Sequence, residues 1–141
     1  MCMYYKLTAE FCDWLKHEKE ITIENSSSII TKIMEIYIAS CELTYPENDI
    51  EEKPLYQRTT LSLSTKQHDA YWEIFDPYIC DEPVCASLFD DVNDIYNDIQ
   101  EGVSLYEQGF KDDAFWHWKW SFENHWKYHA VDAIRALNGI K

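Results

Sequence analysis

Residues 112–139 read DDAFWHWKWSFENHWKYHAVDAIRALNG. Asp112 can cap a helix at the front of this stretch and Gly139 can close it. At ~100° per residue, Phe115, Trp116, Trp118, Trp120, Phe122, Trp126 and Tyr128 spread over most of the helix circumference. A helix that is apolar nearly all round is enclosed by its neighbours. The segment is therefore expected at the centre of an antiparallel bundle. The whole chain is expected to be one all-α domain, residues 1–141, of about five helices.

Working outward, a helix is expected from Ala86 or Ser87 to about Gln108, with Gly109 just past its end. Leu88, Val92, Ile95, Ile99, Val103 and Tyr106 form its apolar stripe, and a short link makes it the antiparallel neighbour of the last helix. Upstream, Thr8 is expected to cap a first helix reaching Glu18. A second follows the Ser26–Ser28 cluster and ends before Pro46, its isoleucines recurring every three to four residues rather than every two. Pro46–Pro54 reads as an acidic surface loop. Ser64 or Thr65 is expected to cap a third helix holding Tyr71, Trp72 and Phe75 and ending before Pro77; Asp81–Pro83 reads as a turn.

Composition narrows the function. The 141 residues are one domain's worth, 46% hydrophobic, with 3 Gly and 4 Pro, which excludes disorder and disfavours Gly-rich nucleotide-binding folds. Twelve basic against 26 acidic residues give a net charge of −14. Such a field repels phosphate backbones and anionic membranes, so neither nucleic acid nor a membrane is an expected partner, and a basic protein or a cation is. No secretory signal is expected from the first residues. Five cysteines in no disulfide pattern point to a reduced cytoplasmic protein. Cys80 and Cys85 are half a zinc site at most, since no second pair stands near.

A set of spacings is more specific. Tyr71-Trp72-Glu73-Ile74-Phe75-Asp76-Pro77 is followed by Glu82-Pro83-Val84, then Ser87-Leu88-Phe89-Asp90-Asp91-Val92-Asn93-Asp94-Ile95-Tyr96, then Ala114–Glu123 and His125–Leu137. In order and spacing this resembles the bacterial proteins grouped as domain of unknown function 5063, over roughly residues 71–137. The resemblance implies a bacterial, helical, single-domain protein and no assigned activity. Its members carry Arg near the position of Lys119, so a bidentate role does not carry over to this chain.

Chemistry concentrates on the last two helices. Asp91, Asp94, Asp98 and Glu101, spaced 3, 4 and 3 apart, form one acidic stripe. His125 and His129 at i, i+4, with Asp132 three further on, form another. Counted from the turn, Asp98 falls level with His125 and Asp94 with His129. Facing carboxylates and imidazoles are how helical bundles hold metals, so Asp94, Asp98, His125 and His129 are the candidate ligands of a divalent ion, with Asp91 or Glu101 as a base. The same groups can instead satisfy one another as Asp–His and Asp–Arg pairs, with Arg135 and Lys119 neutralising the acids and Asp91, Glu101 and Asp132 in pairing roles, or form a solvated face. Neither His-Glu-x-x-His nor Glu-x-x-His is present. Ser121 and His125 are one turn apart without a nucleophile elbow, and Trp116, Trp118 and Trp120 are expected to pack rather than stack on a ligand. The first functional expectation is a protein-interaction module without catalysis and without a cofactor. The alternative is a metal-dependent hydrolase acting on phosphoesters.

Overall fold

The computed structural model describes residues 2–48 and 52–141. It places α1 at Met3–His17, α2 at Ile23–Cys41, a 3-10 turn at Lys66–His68, β1 at Ala70–Glu73 and β2 at Val84–Ser87. These are followed by α3 at Leu88–Glu107, α4 at Lys111–Ser121, a π turn at Phe122–Trp126 and α5 at Lys127–Asn138. Residues 49–51, the middle of the acidic loop, lie outside the described residues.

The central element is α3. Leu88, Val92, Ile95 and Ile99 are all but sealed from solvent, and α3 packs against α1, α4, the π turn and α5. Ser87 caps it, its hydroxyl accepting from the Asp90 N–H at 3.1 Å, and Gly109 leaves it at φ 93, a conformation that suits glycine. Both ends fall where the sequence put them.

The last rod corrects an expectation. It is one continuous body, but α4 and α5 meet through the π turn, where the Lys127 N–H reaches back five residues to the Phe122 carbonyl. The rod lies to one side of α3, with α2 against α5. Its inner aromatics Trp118, Phe122 and Trp126 are buried, whereas Trp120 and Tyr128 are exposed and Trp116 is half-buried. The rings left outside satisfy each other: Trp116 and Trp120 stack at 6.0 Å and 9°.

The N-terminal helices form with different caps. α1 starts before Thr8, which sits inside it and donates its hydroxyl to the Tyr5 carbonyl at 2.8 Å. α2 is capped by Thr22, not by a serine of 26–28. Thr22 Oγ1 accepts from the Asn25 N–H and Asn25 Oδ1 from the Thr22 N–H, a reciprocal box with Asn in the usual Glu/Gln place.

The expected third helix is a β-hairpin, so the fold is mostly helical rather than purely all-α. β1 and β2 pair antiparallel with Tyr71 opposite Ala86 and Trp72 opposite Cys85. Burial alternates along β1 as a strand requires, with Tyr71 and Glu73 partly covered and Trp72 exposed. Asp69 ties the hairpin to α3, its Oδ1 accepting from the Phe89 N–H and from the Ser87 and Thr65 hydroxyls. Burial alone raises the Asp69 pKa, but these three donors outweigh it and hold the carboxyl below its usual range.

Candidate metal centre

His125 lies in the π turn and His129 in the first turn of α5, both facing α3. His125 Nδ1 is 2.5 Å from Asp98 Oδ2, and His129 Nδ1 is 2.8 Å from Asp91 Oδ1. An ionised carboxylate only accepts, so both Nδ1 atoms carry the hydrogen. That leaves each Nε2 of a neutral ring with a lone pair. The two Nε2 atoms face each other at 3.2 Å. Asp94 Oδ2 closes the triangle, 3.3 Å from His129 Nε2 and 4.0 Å from His125 Nε2.

Two facing lone pairs beside a carboxylate oxygen need a cation between them, either a proton or a metal. For a tetrahedral ion with bonds of 2.0–2.1 Å, ligand atoms stand about 3.3 Å apart. Two sides of the triangle already have that length. Among the described residues, Asp94, His125 and His129 are the group of potential ligands whose atoms all lie within 4.8 Å of one another. Asp98, expected from the sequence among the ligands, lies outside this group. It stands behind His125 as Asp91 stands behind His129, the arrangement in which carboxylates orient metal-bound imidazoles. The level pairing of Asp94 with His129 holds for Asp94 Oδ2 only. His129's Nδ1 partner is Asp91, one turn further along α3.

The cation that neutralises these acids is Arg58, which the sequence reading missed. Its guanidinium donates to Asp94 Oδ1 at 2.9 Å and Asp98 Oδ1 at 3.1 Å. It comes from a coil segment strapped to α3 by two asparagines. Asn97 Oδ1 accepts from the Thr59 N–H, Asn97 Nδ2 donates to the Thr59 carbonyl, and Asn93 Oδ1 accepts from the Leu61 N–H. Asn93 and Asn97 sit at i, i+4 directly beside Asp94 and Asp98. That amide stripe, fully buried at Asn97, was the legible signal. Lys119 instead pairs with Glu123, and Arg135 lines an open cavity between β1 and the end of α5.

The remaining predicted residues separate. Glu101 pairs with buried His117 on α4, whose Nε2–H donates to the Asp98 carbonyl; burial holds the His117 pKa down. Asp132 lies against Glu73 of β1. Burial and their mutual repulsion push the Glu73 carboxyl up to about 7, and burial with the Asp91 charge raises Asp132. The Tyr71 hydroxyl donates to Asp91 Oδ2, so β1 steadies the carboxylate that holds His129. The bond to Asp91 raises the His129 pKa against the opposing effect of burial. The Ser121 hydroxyl turns to the Trp118 carbonyl and away from His125.

Comparison with known proteins agrees with this architecture. The chain is similar in structure to protein BF1032 from Bacteroides fragilis, at 18% identity, with a TM-score of 0.74 over 96% of this chain and 87% of that one. At that identity the likeness shows the fold alone. No curated protein matches. The family described as Domain of unknown function (DUF5063) matches residues 5–141, nearly the whole chain. The chain belongs to this family.

Proposed function

We propose that this protein binds one divalent transition-metal ion through Asp94 Oδ2, His125 Nε2 and His129 Nε2. The observation that carries the reading is the 3.2 Å approach of two Nε2 atoms whose hydrogens are committed elsewhere. Imidazole with one carboxylate suits zinc, iron or manganese. Three protein ligands leave a coordination position for water, and a bound ion would make that water a nucleophile near neutral pH. Asp91 and Asp98 would hold the rings, and Arg58 would keep Asp94 Oδ1 occupied so that Oδ2 points at the ion. The reaction class that fits is metal-dependent hydrolysis.

The test is metal content of untagged protein, with thermal melts before and after EDTA and titration with Zn(II) and Mn(II). One ion per chain, a melting temperature lowered by EDTA, and loss of the ion in both Asp94→Asn and His129→Gln are expected. A chain that takes up neither ion while folded overturns the proposal and leaves a shared proton between the rings.

A second reading, interaction with a basic protein, rests on the hairpin. Its connection exposes Phe75 at 88% and Tyr78 at 97%, among Asp76, Asp81 and Glu82. An apolar patch with an acidic rim, on a chain of net charge −14, suits a partner with a basic rim of its own. Capture from cell extract that is lost both on a salt wash and in Phe75→Ala/Tyr78→Ala supports it; capture unchanged by the double substitution counts against it.

A further inference from the structure

The chain has only two arginines. Arg58 is committed to the acids of α3, whereas Arg135, on the exposed side of α5, has no carboxylate within ion-pair distance among the described residues. It lines an open cavity of about 570 Å³ between β1 and the end of α5. That is the size of a small-molecule pocket, in the range of about 300–1,000 Å³.

The lining carries cationic and amide side chains and no acidic one. Acids make up 26 of the 141 residues, yet none of the 11 lining residues is Asp or Glu. Arg135 and Lys141 bring two cationic side chains, His68 an imidazole, and Gln67 and Asn138 two amides. Trp72 adds an indole that is 69% exposed.

We propose that this cavity binds a small organic anion with a flat aromatic body, its carboxylate or phosphate on Arg135 and Lys141 and its ring against Trp72. The net acidic chain repels such a molecule over most of its surface, whereas this cavity is lined by two cationic side chains and three further side-chain donors. Guanidinium and amides recognise the oxygens, and the indole takes the ring face. The cavity is separate from the metal centre, since Arg135 lies six residues past His129, about 9 Å along the helix. The two share Tyr71, which lines the cavity while its hydroxyl holds Asp91.

The experiment is calorimetric titration of the full chain, in EDTA-containing buffer, with phenyl phosphate, inorganic phosphate and phenol. With EDTA present, a metal at His125 and His129 cannot account for phosphate capture. Saturable binding of phenyl phosphate is expected, weaker binding of inorganic phosphate, and none of phenol. Arg135→Gln should weaken phenyl phosphate about tenfold or more, the loss of a charge-assisted hydrogen bond. Trp72→Ala should weaken phenyl phosphate and leave inorganic phosphate unchanged. Both side chains are exposed, and circular dichroism verifies that the variants fold. Absence of saturation in the unaltered chain, or unchanged affinity in both variants, overturns the proposal. Equal affinity for phenyl phosphate and inorganic phosphate overturns its aromatic half.

Discussion

The indole of Trp118 fills the space that a side chain at residue 102 would need. A Cβ built on Gly102 meets Trp118 Nε1, Cε2 and Cδ1 at 2.0, 2.3 and 2.4 Å. The indole is fully buried, and its Nε1–H donates to the Ile99 carbonyl at 3.0 Å. This contact sets how closely α4 approaches α3 and, through the continuous rod, where His125 and His129 meet the acids.

Gly102→Ala is therefore expected to destabilise the fold severely. Alanine's helix propensity is worth about 1 kcal/mol in its favour. Overpacking against a sealed indole costs about 3 kcal/mol or more, because neither ring nor backbone can retreat without breaking the Ile99 bond. Urea denaturation checks this, and a midpoint equal to or above that of the unaltered protein would contradict the packing described.

Asp98→Asn removes the acceptor charge shared by His125 Nδ1 and Arg58 while keeping the side-chain shape. The fold should survive with a lower melting temperature. Under the metal reading, affinity for zinc should fall by about 10- to 100-fold, the usual effect of losing a carboxylate behind a ligating imidazole. Competition with a chromogenic chelator reads this directly, and an unchanged affinity would place the ion elsewhere.

Stability should decline as pH rises from 5 to 8, through Glu73. Its carboxyl titrates near 7 in the fold and near 4.5 when unfolded, so the native chain holds the proton more tightly across that window. The unfolded chain then binds fewer protons and unfolding becomes easier with rising pH. Solvent screening at this half-open position keeps the contribution to about 1 kcal/mol. Glu73→Gln should flatten the profile, and melts at pH 5, 6.5 and 8 compare the two. His129 acts in the same direction: its raised pKa gives stability that is present below its unfolded value and lost as pH climbs through the folded one.

The cysteines should divide by burial. Cys12 is sealed inside α1, and burial pushes its thiol pKa up, so it should resist a disulfide-exchange reagent until the chain unfolds. Cys41, Cys80 and Cys85 are exposed and should react in the folded protein. Mass spectrometry of the labelled peptides distinguishes them, and rapid labelling of Cys12 would mean that α1 opens readily.

Much of α3 and the final rod was legible in the residues. The apolar stripe of α3, its start near Ser87, Gly109 at the turn and the Asp and His stripes follow from a 3.6-residue period and from end signals, which are local. So does the family, whose spacings lie mostly in those helices. The hairpin was not legible, because Tyr71, Trp72 and Phe75 fit either a helix face or a strand; Val84–Ser87, more than ten residues away, settled it by supplying the partner. Arg58 was legible only indirectly, through the Asn93 and Asn97 stripe: its own segment has no period and is placed by those amides across 32 to 38 residues of chain.

The sequence by itself determined which side chains share a helix face. Only the tertiary structure decided which of them meet. Asp91 rather than Asp94 holds His129 Nδ1, and Asp98 backs His125 rather than joining the triangle of Asp94, His125 and His129. The reason is physical: period and capping act within a few residues, whereas the register between α3 and the last rod depends on the Gly102–Trp118 contact and on the extra residue of the π turn. Neither leaves a trace in the period of either helix alone.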